Sequence, residues 1–408
     1  MNGSVDRSIQ DLASFDFVLA CFCVIDAQPR GKLFRRDRFE RVLAEGYTTA
    51  GSTWTGQEFP GTDDLLIRPD ISSIRPIPLL EKTAWVACNI FDGNGPSPIC
   101  ARSHLQKHLS LVTTQRVYTG VEIEFSLGPN DTHVGRRAIG NSLALQDAPS
   151  VSRYLDALRK LLVALPIEEP TLHNEGDPGQ YELTWRHADP LTTADSHFYL
   201  RYILMLLSTQ TDTALSFMPL RTTNCHGNGC HVHISFVPLQ ESAALRQQDY
   251  ARVLCQQAPE FSALTLPTIN SLKRMRMWFG QKLQRSEAPQ VVKFLDLARG
   301  ELVRTTRHGT TEYRISDASA NPYVLQCVVL SPFLQHASST EAAQQSQVPS
   351  IPRFAYESIL MLSKSSIAIE IFGREFIAAF LKWRLKELDS FYQNVTDWET
   401  GRFEPQRL

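Results

Sequence analysis

Four short segments, far apart in the chain, place metal- or phosphate-binding side chains two residues apart, or nearly so. They are 120–125 (GVEIEF), 174–182 (NEGDPGQYE), 229–235 (GCHVHIS) and 312–314 (EYR). On a β-strand, residues i and i+2 point to the same face. Three pairs would therefore line one cavity: Glu122 with Glu124, His231 with His233, and Glu312 with Arg314. This spacing predicts a sheet that gathers its reactive side chains on one face.

The converging charges predict a divalent metal centre. Four or five carboxylates beside imidazoles and an arginine need cations to neutralise them. Hard ions with oxygen ligands, Mg²⁺ or Mn²⁺, suit that mixture. Each pair alone is weak evidence, because Glu-x-Glu usually marks a solvated strand face and an exposed Glu–Arg pair contributes under ~1 kcal/mol. Together, in Gly-rich and strand-forming surroundings, the pairs favour an enzyme.

A zinc site is the competing interpretation of one stretch. Its candidate ligands are Cys225, His226, Cys230, His231 and His233. Their spacing, C-H-x-x-x-C-H-x-H, fits no familiar structural zinc site, and the intervening glycines leave little room for a closed tetrahedral cage. We therefore interpret both cysteines as small strand and loop residues.

A set of arginines accompanies the carboxylates: Arg274, Arg299, Arg304, Arg307 and Arg314. Guanidinium groups beside metal-bound carboxylates suit a phosphate chain and an anionic acid, through bidentate pairing. The sequence contains no Walker A motif and no kinase Gly-rich loop. A nucleotide site would then be built from metals and arginines, with catalysis by positioning and charge neutralisation. A scattered set of surface arginines is the alternative explanation.

The order of predicted elements favours an α+β fold. A chain of 408 residues is long enough for two domains. Residues from about 15 to 105 show short strands and turns, which predict a small β-rich domain. Strands and helices alternate from about residue 115, without the Gly-rich loop of a doubly wound sheet. Two helices, 353–367 and 374–394, are predicted to close the chain.

Bulk properties exclude some classes of partner. The formal net charge of −2 gives no electrostatic reason to expect nucleic acid. No apolar run approaches the ~20 residues that span a bilayer, and the N-terminus lacks a signal-peptide pattern. The eight cysteines have no framework spacing, which favours reduced thiols. We expect a cytoplasmic protein without nucleic-acid or membrane partners.

Taken in order, these motifs resemble those of the glutamine synthetase family, and the resemblance covers nearly the whole chain. The matching segments are 120–125, 178–182 (PGQYE), 217–219 (FMP), 227–235 (GNGCHVHIS), 270–274 (NSLKR), 287–289 (EAP), 312–314, 317–323 (DASANPY) and 395–399 (VTDWE). The resemblance implies a β-grasp N-terminal domain, residues 1–112. It also implies a larger catalytic domain, residues 113–408, with a curved antiparallel sheet flanked by helices.

The resemblance also implies roles for individual residues. The metal ligands would be Glu124, Glu175 and Glu182 for a first ion, and Glu122, His231 and Glu312 for a second. The acid substrate would be bound by Arg274, Arg314 and Gly227, and the nucleotide by His233, Ser235 and Arg307. Arg299 and Arg304 would stabilise the phosphate and the acyl-phosphate. Glu287 would be the flap glutamate that shields the intermediate and accepts a proton from the amine.

The reaction implied by the resemblance has two steps. ATP phosphorylates a side-chain carboxylate to an acyl-phosphate, and an amine then attacks it to give an amide, ADP and phosphate. Two or more Mg²⁺ or Mn²⁺ ions would assist. Family members assemble as rings whose active sites are shared between adjacent subunits, so self-association into a ring is expected.

Departures from the family pattern concern the amine. Ammonia-using members carry an aspartate in an F-D-G-S-S loop of the N-terminal domain, which binds and deprotonates ammonium. The corresponding stretch here is 49–53 (TAGST), with Ala50 at the aspartate position. Losing that carboxylate removes a cation ligand and frees volume, which suits a substituted amine. The stretch between Arg274 and Glu287 is also longer, which lengthens the flap.

Four hypotheses follow. The leading one is a γ-glutamyl-amine ligase that uses a primary amine other than ammonia. The second is an authentic glutamine synthetase in which Asp63 or Asp64 replaces the missing aspartate. The third keeps the chemistry but changes the acid, because His226 replaces the family asparagine and Leu220-Arg221 replaces the family lysine. The fourth, a catalytically silent scaffold, is disfavoured because all six presumed metal ligands are present.

Overall fold

A computed structural model of the protein describes residues 12–51, 64–93, 95–128, 142–143, 149–223, 225–239, 245–283, 302–307, 309–336 and 350–403. Glu287 and Arg299, predicted as catalytic, and Asp63 lie outside these residues. Among the helices of the described ranges, none is long and apolar enough to cross a membrane.

The first part of the chain forms a sheet with strand order β2-β1-β6-β4-β3. Its strands are β1 (Phe17–Cys23), β2 (Pro29–Arg35), β3 (Tyr47–Thr49), β4 (Leu65–Pro69), β5 (Arg75–Pro76), β6 (Thr83–Asp92) and β7 (Gly95–Pro96). The β1–β6 pair is parallel, whereas β2 and β4 pair antiparallel with their neighbours. Helix α1 (Arg36–Glu45) buries Phe39 and Val42 on one side. The sequence predicted the β-rich character but not α1.

A second, antiparallel sheet has the order β13-β14-β12-β8-β10-β9, with β11 paired to β8. Its strands are β8 (Gln115–Leu127), β9 (Thr171–Asn174), β10 (Gln180–Thr184), β11 (Leu215–Ser216), β12 (Cys230–Pro238), β13 (Val303–Thr305) and β14 (Thr311–Tyr313). In β8, Val121, Ile123 and Phe125 are buried in the hydrophobic core. Because side chains alternate along a strand, Glu122 and Glu124 point to the opposite face.

The other helices of the described ranges are α2 (Ala101–Leu111), α3 (Ser152–Ala164), α4 (Pro190–Thr211), α5 (Gln247–Thr265), α6 (Ile269–Leu283), α7 (Pro322–His336), α8 (Ala355–Lys364), α9 (Ser366–Phe372), α10 (Arg374–Gln393) and α11 (Asp397–Phe403). Helices α4 and α5 pack against the second sheet, and other helices pack on them. Helix α4 starts at Pro190. The carboxylate of the preceding Asp189 caps the helix by accepting hydrogen bonds from the N–H groups of Leu191 and Thr192. The predicted α+β class, with an antiparallel catalytic sheet and flanking helices, is confirmed.

The end of the chain corrects the sequence-based prediction of two long helices. Helix α8 stops at Lys364, and the Ser365 hydroxyl accepts a bond of 3.0 Å from the Ala368 N–H. That contact caps a separate helix, α9, because serine is a preferred N-cap residue. Gly373, with φ of 81°, then separates α9 from α10. The predicted helix 353–367 is therefore wrong at its C-terminal end.

A buried charge network connects the first sheet with three helices of the chain that follows it. The Arg102 guanidinium donates to both carboxylate oxygens of Asp195, at 2.9 and 2.8 Å, and to Asp70 Oδ2 at 2.8 Å. The Tyr323 hydroxyl donates to the same Asp195 at 2.8 Å. Asp70 follows β4, whereas Asp195 and Tyr323 belong to α4 and α7. Because packing is continuous across residue 112, the domain boundary stays a prediction.

Candidate active site

Strand pairing brings the predicted carboxylates and imidazoles onto one face of the second sheet. The cross-strand partners are Glu122 with His231, Glu124 with Glu182, and His233 with Glu312. Side chains directly opposite each other have Cβ atoms about 5 Å apart. The backbone ladder, rather than loops, therefore sets the distances between these groups.

Glu122 is the centre of the cluster. One carboxylate oxygen lies 3.0 Å from His231 Nδ1, and the other lies 2.8 Å from His233 Nε2. Burial raises the Glu122 pKa, but the hydrogen bonds from both imidazoles outweigh it and hold the pKa below its ordinary value. Burial lowers the His233 pKa, but the bond to Glu122 raises it more, so the net shift is upward. The Glu122–His233 pair therefore favours a carboxylate next to a protonated imidazole.

Three overlapping groups of ligand atoms run across this face within the described residues. The β9 cradle is His173, Glu175 and Glu182; the central cradle is Glu122, Glu182 and His231; the β14 cradle is Glu122, His233 and Glu312. In each cradle the three ligand atoms lie within 4.8 Å of one another. Glu122 and Glu182 each belong to two cradles. His173 was not predicted, although its spacing of two from Glu175 was visible in the sequence.

The state of Glu182 tests whether these residues fit a cation. Burial, and then repulsion from Glu122, Glu124, Glu175 and Glu312, raises the Glu182 pKa to about 9. A carboxyl group this strongly opposed by like charges loses its proton readily once a divalent cation lies between them. The two carboxylates of each cradle are ligands that Mg²⁺ and Mn²⁺ share, and the imidazole adds a nitrogen ligand of the kind that transition-metal ions accept. The donor set therefore fits divalent cations.

We expect the melting temperature of the metal-free protein to fall by several degrees between about pH 5 and pH 9. The Glu182 pKa rises from 4.5 to about 9 on folding, so the folded state binds more protons across this window. Its contribution to stability is complete below the lower value and lost as the pH rises through the upper one. Scanning fluorimetry should show a larger stabilisation by Mn²⁺ at high pH than at low pH. Equal stabilisation at both ends would contradict this, as would an unchanged profile in Glu182→Gln.

One oxygen of Glu124 is held by the backbone and by a buried amide. Glu124 Oε2 accepts bonds of 2.8 Å from the Gly229 N–H and from Gln180 Nε2. The same Gln180 amide donates to the Gly227 carbonyl at 2.9 Å. Glu124 Oε1 is the oxygen nearer the site, 3.9 Å from His231 Nε2. Sequence reasoning missed Gln180, although it lies two residues from Glu182 on the same strand.

Two glycines bring Arg274 close to this carboxylate. A Cβ atom on Gly229 would lie 2.6 Å from Arg274 Nη2, 2.8 Å from Glu124 Oε1 and 3.0 Å from His231 Nε2. Gly227 has φ of +74°, and a Cβ there would lie 3.2 Å from Arg274 Cδ. The structure thus places Gly227 beside Arg274, two residues predicted to bind one substrate.

Two arginines meet at Glu312, which is buried. Arg304 Nε and Arg314 Nη1 each donate to its carboxylate. Burial raises the Glu312 pKa, but the charges of His231 and Arg314 together lower it by more. The Glu312 pKa therefore lies below its ordinary value. The structure therefore groups both arginines with the β14 cradle. The predicted contact of Arg314 with the acid stays a prediction, as do the nucleotide contacts of Ser235 and Arg307.

A cavity of about 560 Å³ opens next to the cradles. Glu122 and His233 form the wall that it shares with the metal cluster. Its other lining residues are Gly120, Val121, Glu169, Thr184, Trp185, Arg186 and His187. This volume is within the range of small-molecule sites, roughly 300–1,000 Å³. Sequence reasoning missed the Trp-Arg-His run, whose only signal is its position directly after β10.

Ala50 and His226, which depart from the family pattern, lie in different parts of the structure. Ala50 directly follows β3 in the first sheet, and the residues described as lining the cavity or forming the cradles do not include it. His226 is held by Asp177, whose Oδ1 lies 3.1 Å from His226 Nδ1. Asp177 Oδ2 also accepts bonds from the N–H groups of His226 and Gly227, at 2.5 and 3.2 Å. This imidazole is thus fixed on the Gly227 loop.

The zinc interpretation finds no support in the described part of the chain. Cys230 is fully buried in β12, where burial raises the pKa of its thiol. Cys225 Sγ donates to the Thr222 carbonyl at 3.0 Å. No group of candidate ligand atoms among the described residues includes a cysteine.

Comparison with known proteins gives consistent matches. The family model described as "Glutamine synthetase, catalytic domain" matches residues 98–403. A glutamine synthetase of Rhizobium meliloti (strain 1021) is 25% identical over 405 residues, which cover 91% of this chain and 92% of that protein. A glutamate–methylamine ligase of Methyloversatilis universalis is 25% identical over 434 residues, covering 95% and 96%. A ligand-free structure of a protein named GmaS shares the fold, with a TM-score of 0.81, 22% identity and 97% coverage of both chains.

Proposed function

Because the chain belongs to the glutamine synthetase family and is therefore an ATP-dependent ligase, we propose that it joins glutamate to a primary amine other than ammonia. The observation that carries the proposal is a contrast within one sequence. The chain retains all the presumed metal ligands, whereas Ala50 replaces the carboxylate with which ammonia-using members bind ammonium. The similarity to a glutamate–methylamine ligase over nearly the full length supports the same choice.

The residues of the second sheet have distinct parts in this proposal. Divalent cations bound by the three cradles would supply neutralisation of phosphate charge. His233 borders both the cavity and the β14 cradle, so a nucleotide in the cavity would direct its phosphates toward Glu122. Trp185, a buried residue, would form part of the apolar wall beside the base. Arg304 would neutralise the phosphoryl group as it is transferred, and Arg314 would help to bind the acid.

Arg274 is proposed to bind the acid. Its guanidinium donates to the Ser316 carbonyl at 3.3 Å, which orients the group beside Gly227 and Gly229. A guanidinium matches a carboxylate in a bidentate manner, so it would hold the acid with its reacting carboxylate near the cations. Attack of that carboxylate on the terminal phosphate gives the acyl-phosphate and ADP. Attack of the amine then releases phosphate, with Glu287 as the proposed proton acceptor and Arg299 as a phosphate contact.

The proposal is tested by measuring ADP release with Mg²⁺ or Mn²⁺, glutamate and a panel of amines. The panel contains ammonium, methylamine, ethylamine and a longer primary amine. We expect turnover with at least one substituted amine to exceed that with ammonium by about tenfold or more. Ala50→Asp should shift the preference toward ammonium. Turnover with ammonium alone would contradict the proposal and support an authentic glutamine synthetase, the name carried by several relatives.

The identity of the acid needs its own control. Asp177 fixes the His226 imidazole on the loop next to Arg274, at a position where the family has asparagine. Aspartate and other dicarboxylic amino acids therefore replace glutamate in a parallel series. Higher turnover with one of them would support a ligase for a different acid.

Assembly into a ring with shared active sites and a cytoplasmic location remain parts of the proposal.

A further inference from the structure

The β9 cradle contains an imidazole that the family resemblance did not assign. His173 Nε2 lies 3.1 Å from Glu175 Oε1 and 3.6 Å from Glu182 Oε1. His173 and Glu182 are cross-strand partners, and His173 and Glu175 are two residues apart along the chain. The same backbone rules that gather the other ligands therefore place this ring at the metal cluster.

These distances match the spacing of atoms that share one ion. Imidazole nitrogen and carboxylate oxygen bind divalent transition metals at roughly 2.0–2.2 Å. Two such ligands at a right angle are then about 3 Å apart, and wider angles give up to about 4 Å. The distances of 3.1 and 3.6 Å lie in this range.

The surroundings of Glu182 also suit a cation in this cradle. Its side chain is 9% exposed. Within the described residues it accepts no hydrogen bond, and its ion-pair contact is with His173. A buried carboxylate without a donor is costly unless a cation neutralises it. The carboxylate is thus oriented toward the space that it shares with His173 and Glu175.

We propose that His173 is a direct nitrogen ligand of the ion in the β9 cradle, which consequently prefers Mn²⁺ to Mg²⁺. The inference rests on the metal use that belongs to the proposed function. Mg²⁺ is bound mainly through oxygen and keeps several waters, whereas imidazole suits transition-metal ions. An ion held by two carboxylates alone would show little such preference. The β9 cradle would then share the donor set of the other two cradles, in which His231 and His233 supply the imidazole.

The test titrates the metal-free full-length protein with Mn²⁺ alone, followed by electron paramagnetic resonance. His173→Gln should weaken one Mn²⁺ site about tenfold or more while changing Mg²⁺ affinity, measured by competition, by less than about threefold. Pulsed spectra should lose part of the nitrogen modulation, since one imidazole no longer binds the ion. His173→Asn serves as a second variant, and circular dichroism checks that both fold.

His226→Gln is the matched control. His226 also lies 3.1 Å from a carboxylate oxygen but belongs to none of the three cradles, so its removal should leave Mn²⁺ binding and nitrogen modulation unchanged. Unchanged stoichiometry, affinity and modulation in His173→Gln would overturn the proposal and leave His173 as a hydrogen-bond partner of Glu175. This readout is independent of turnover, so it stands or fails separately from the amine-ligase proposal.

Discussion

Replacement of Glu122 by glutamine is expected to reduce turnover on the order of 10³-fold while leaving the fold intact. Glu122 belongs to both the central and the β14 cradles, so removing its charge weakens two ion sites together. Its carboxylate also holds His231 and His233 at 3.0 and 2.8 Å, and a glutamine side chain cannot accept from both rings with both of its terminal atoms. The loss should therefore exceed that of a residue in one cradle.

The experiment compares ADP release, Mn²⁺ stoichiometry and melting temperature. Glu375→Gln is the matched control, because Glu375 is an exposed residue in the first turn of α10. It should retain wild-type turnover. If Glu122→Gln kept more than about a tenth of the turnover and its full Mn²⁺ stoichiometry, the shared-ligand interpretation would be wrong.

Gly229→Ala is expected to lower turnover about 100-fold or more with a loss of stability of only about 1–2 kcal/mol. The added methyl group would lie within 3.0 Å of Arg274, Glu124 and His231 atoms. All three atoms are at the ends of side chains, so they can move apart and the chain can still fold. They cannot move without separating the acid-binding guanidinium from the metal cluster. Activity and stability should therefore respond very differently.

Two other glycines make this prediction specific. Gly93→Ala should have no effect on turnover, because a Cβ atom there meets nothing within 4 Å. Gly227→Ala should instead destabilise the protein, since the residue has φ of +74° and its Cβ would clash with the Pro219 carbonyl oxygen. A melting temperature of Gly229→Ala as low as that of Gly227→Ala would show that the methyl group disturbs the fold and not only the site.

The spacing of two residues correctly predicted the strands that carry the site but not their order. Glu122 and Glu124 could be assigned to one face from the sequence, because alternation is a local property of a strand. That β8 lies between β12 and β10 depends on pairing between distant segments. Sequence spacing contains no information on that register, so the sharing of Glu122 by two cradles could not be predicted.

His173 shows how a short element is overlooked. Strand β9 has only four residues, Thr171–Asn174, which is too short for a clear alternation pattern. Its face is fixed by pairing with β10, and that pairing brings His173 opposite Glu182. The cavity wall at Trp185 was missed for a related reason: it follows a strand end, where position in space depends on neighbouring elements.

The Arg102 network limits how the protein can be divided. A fragment starting near residue 113 would keep Asp195 and Tyr323 but lose the guanidinium that neutralises Asp195 in the interior. Asn321 would likewise lose the Val24 carbonyl, to which it donates at 2.7 Å. Ionic and polar groups left without partners in this way cost more than the original contacts contributed. The catalytic sheet is therefore not a module that can be excised, transplanted or expressed apart from the strands that precede it.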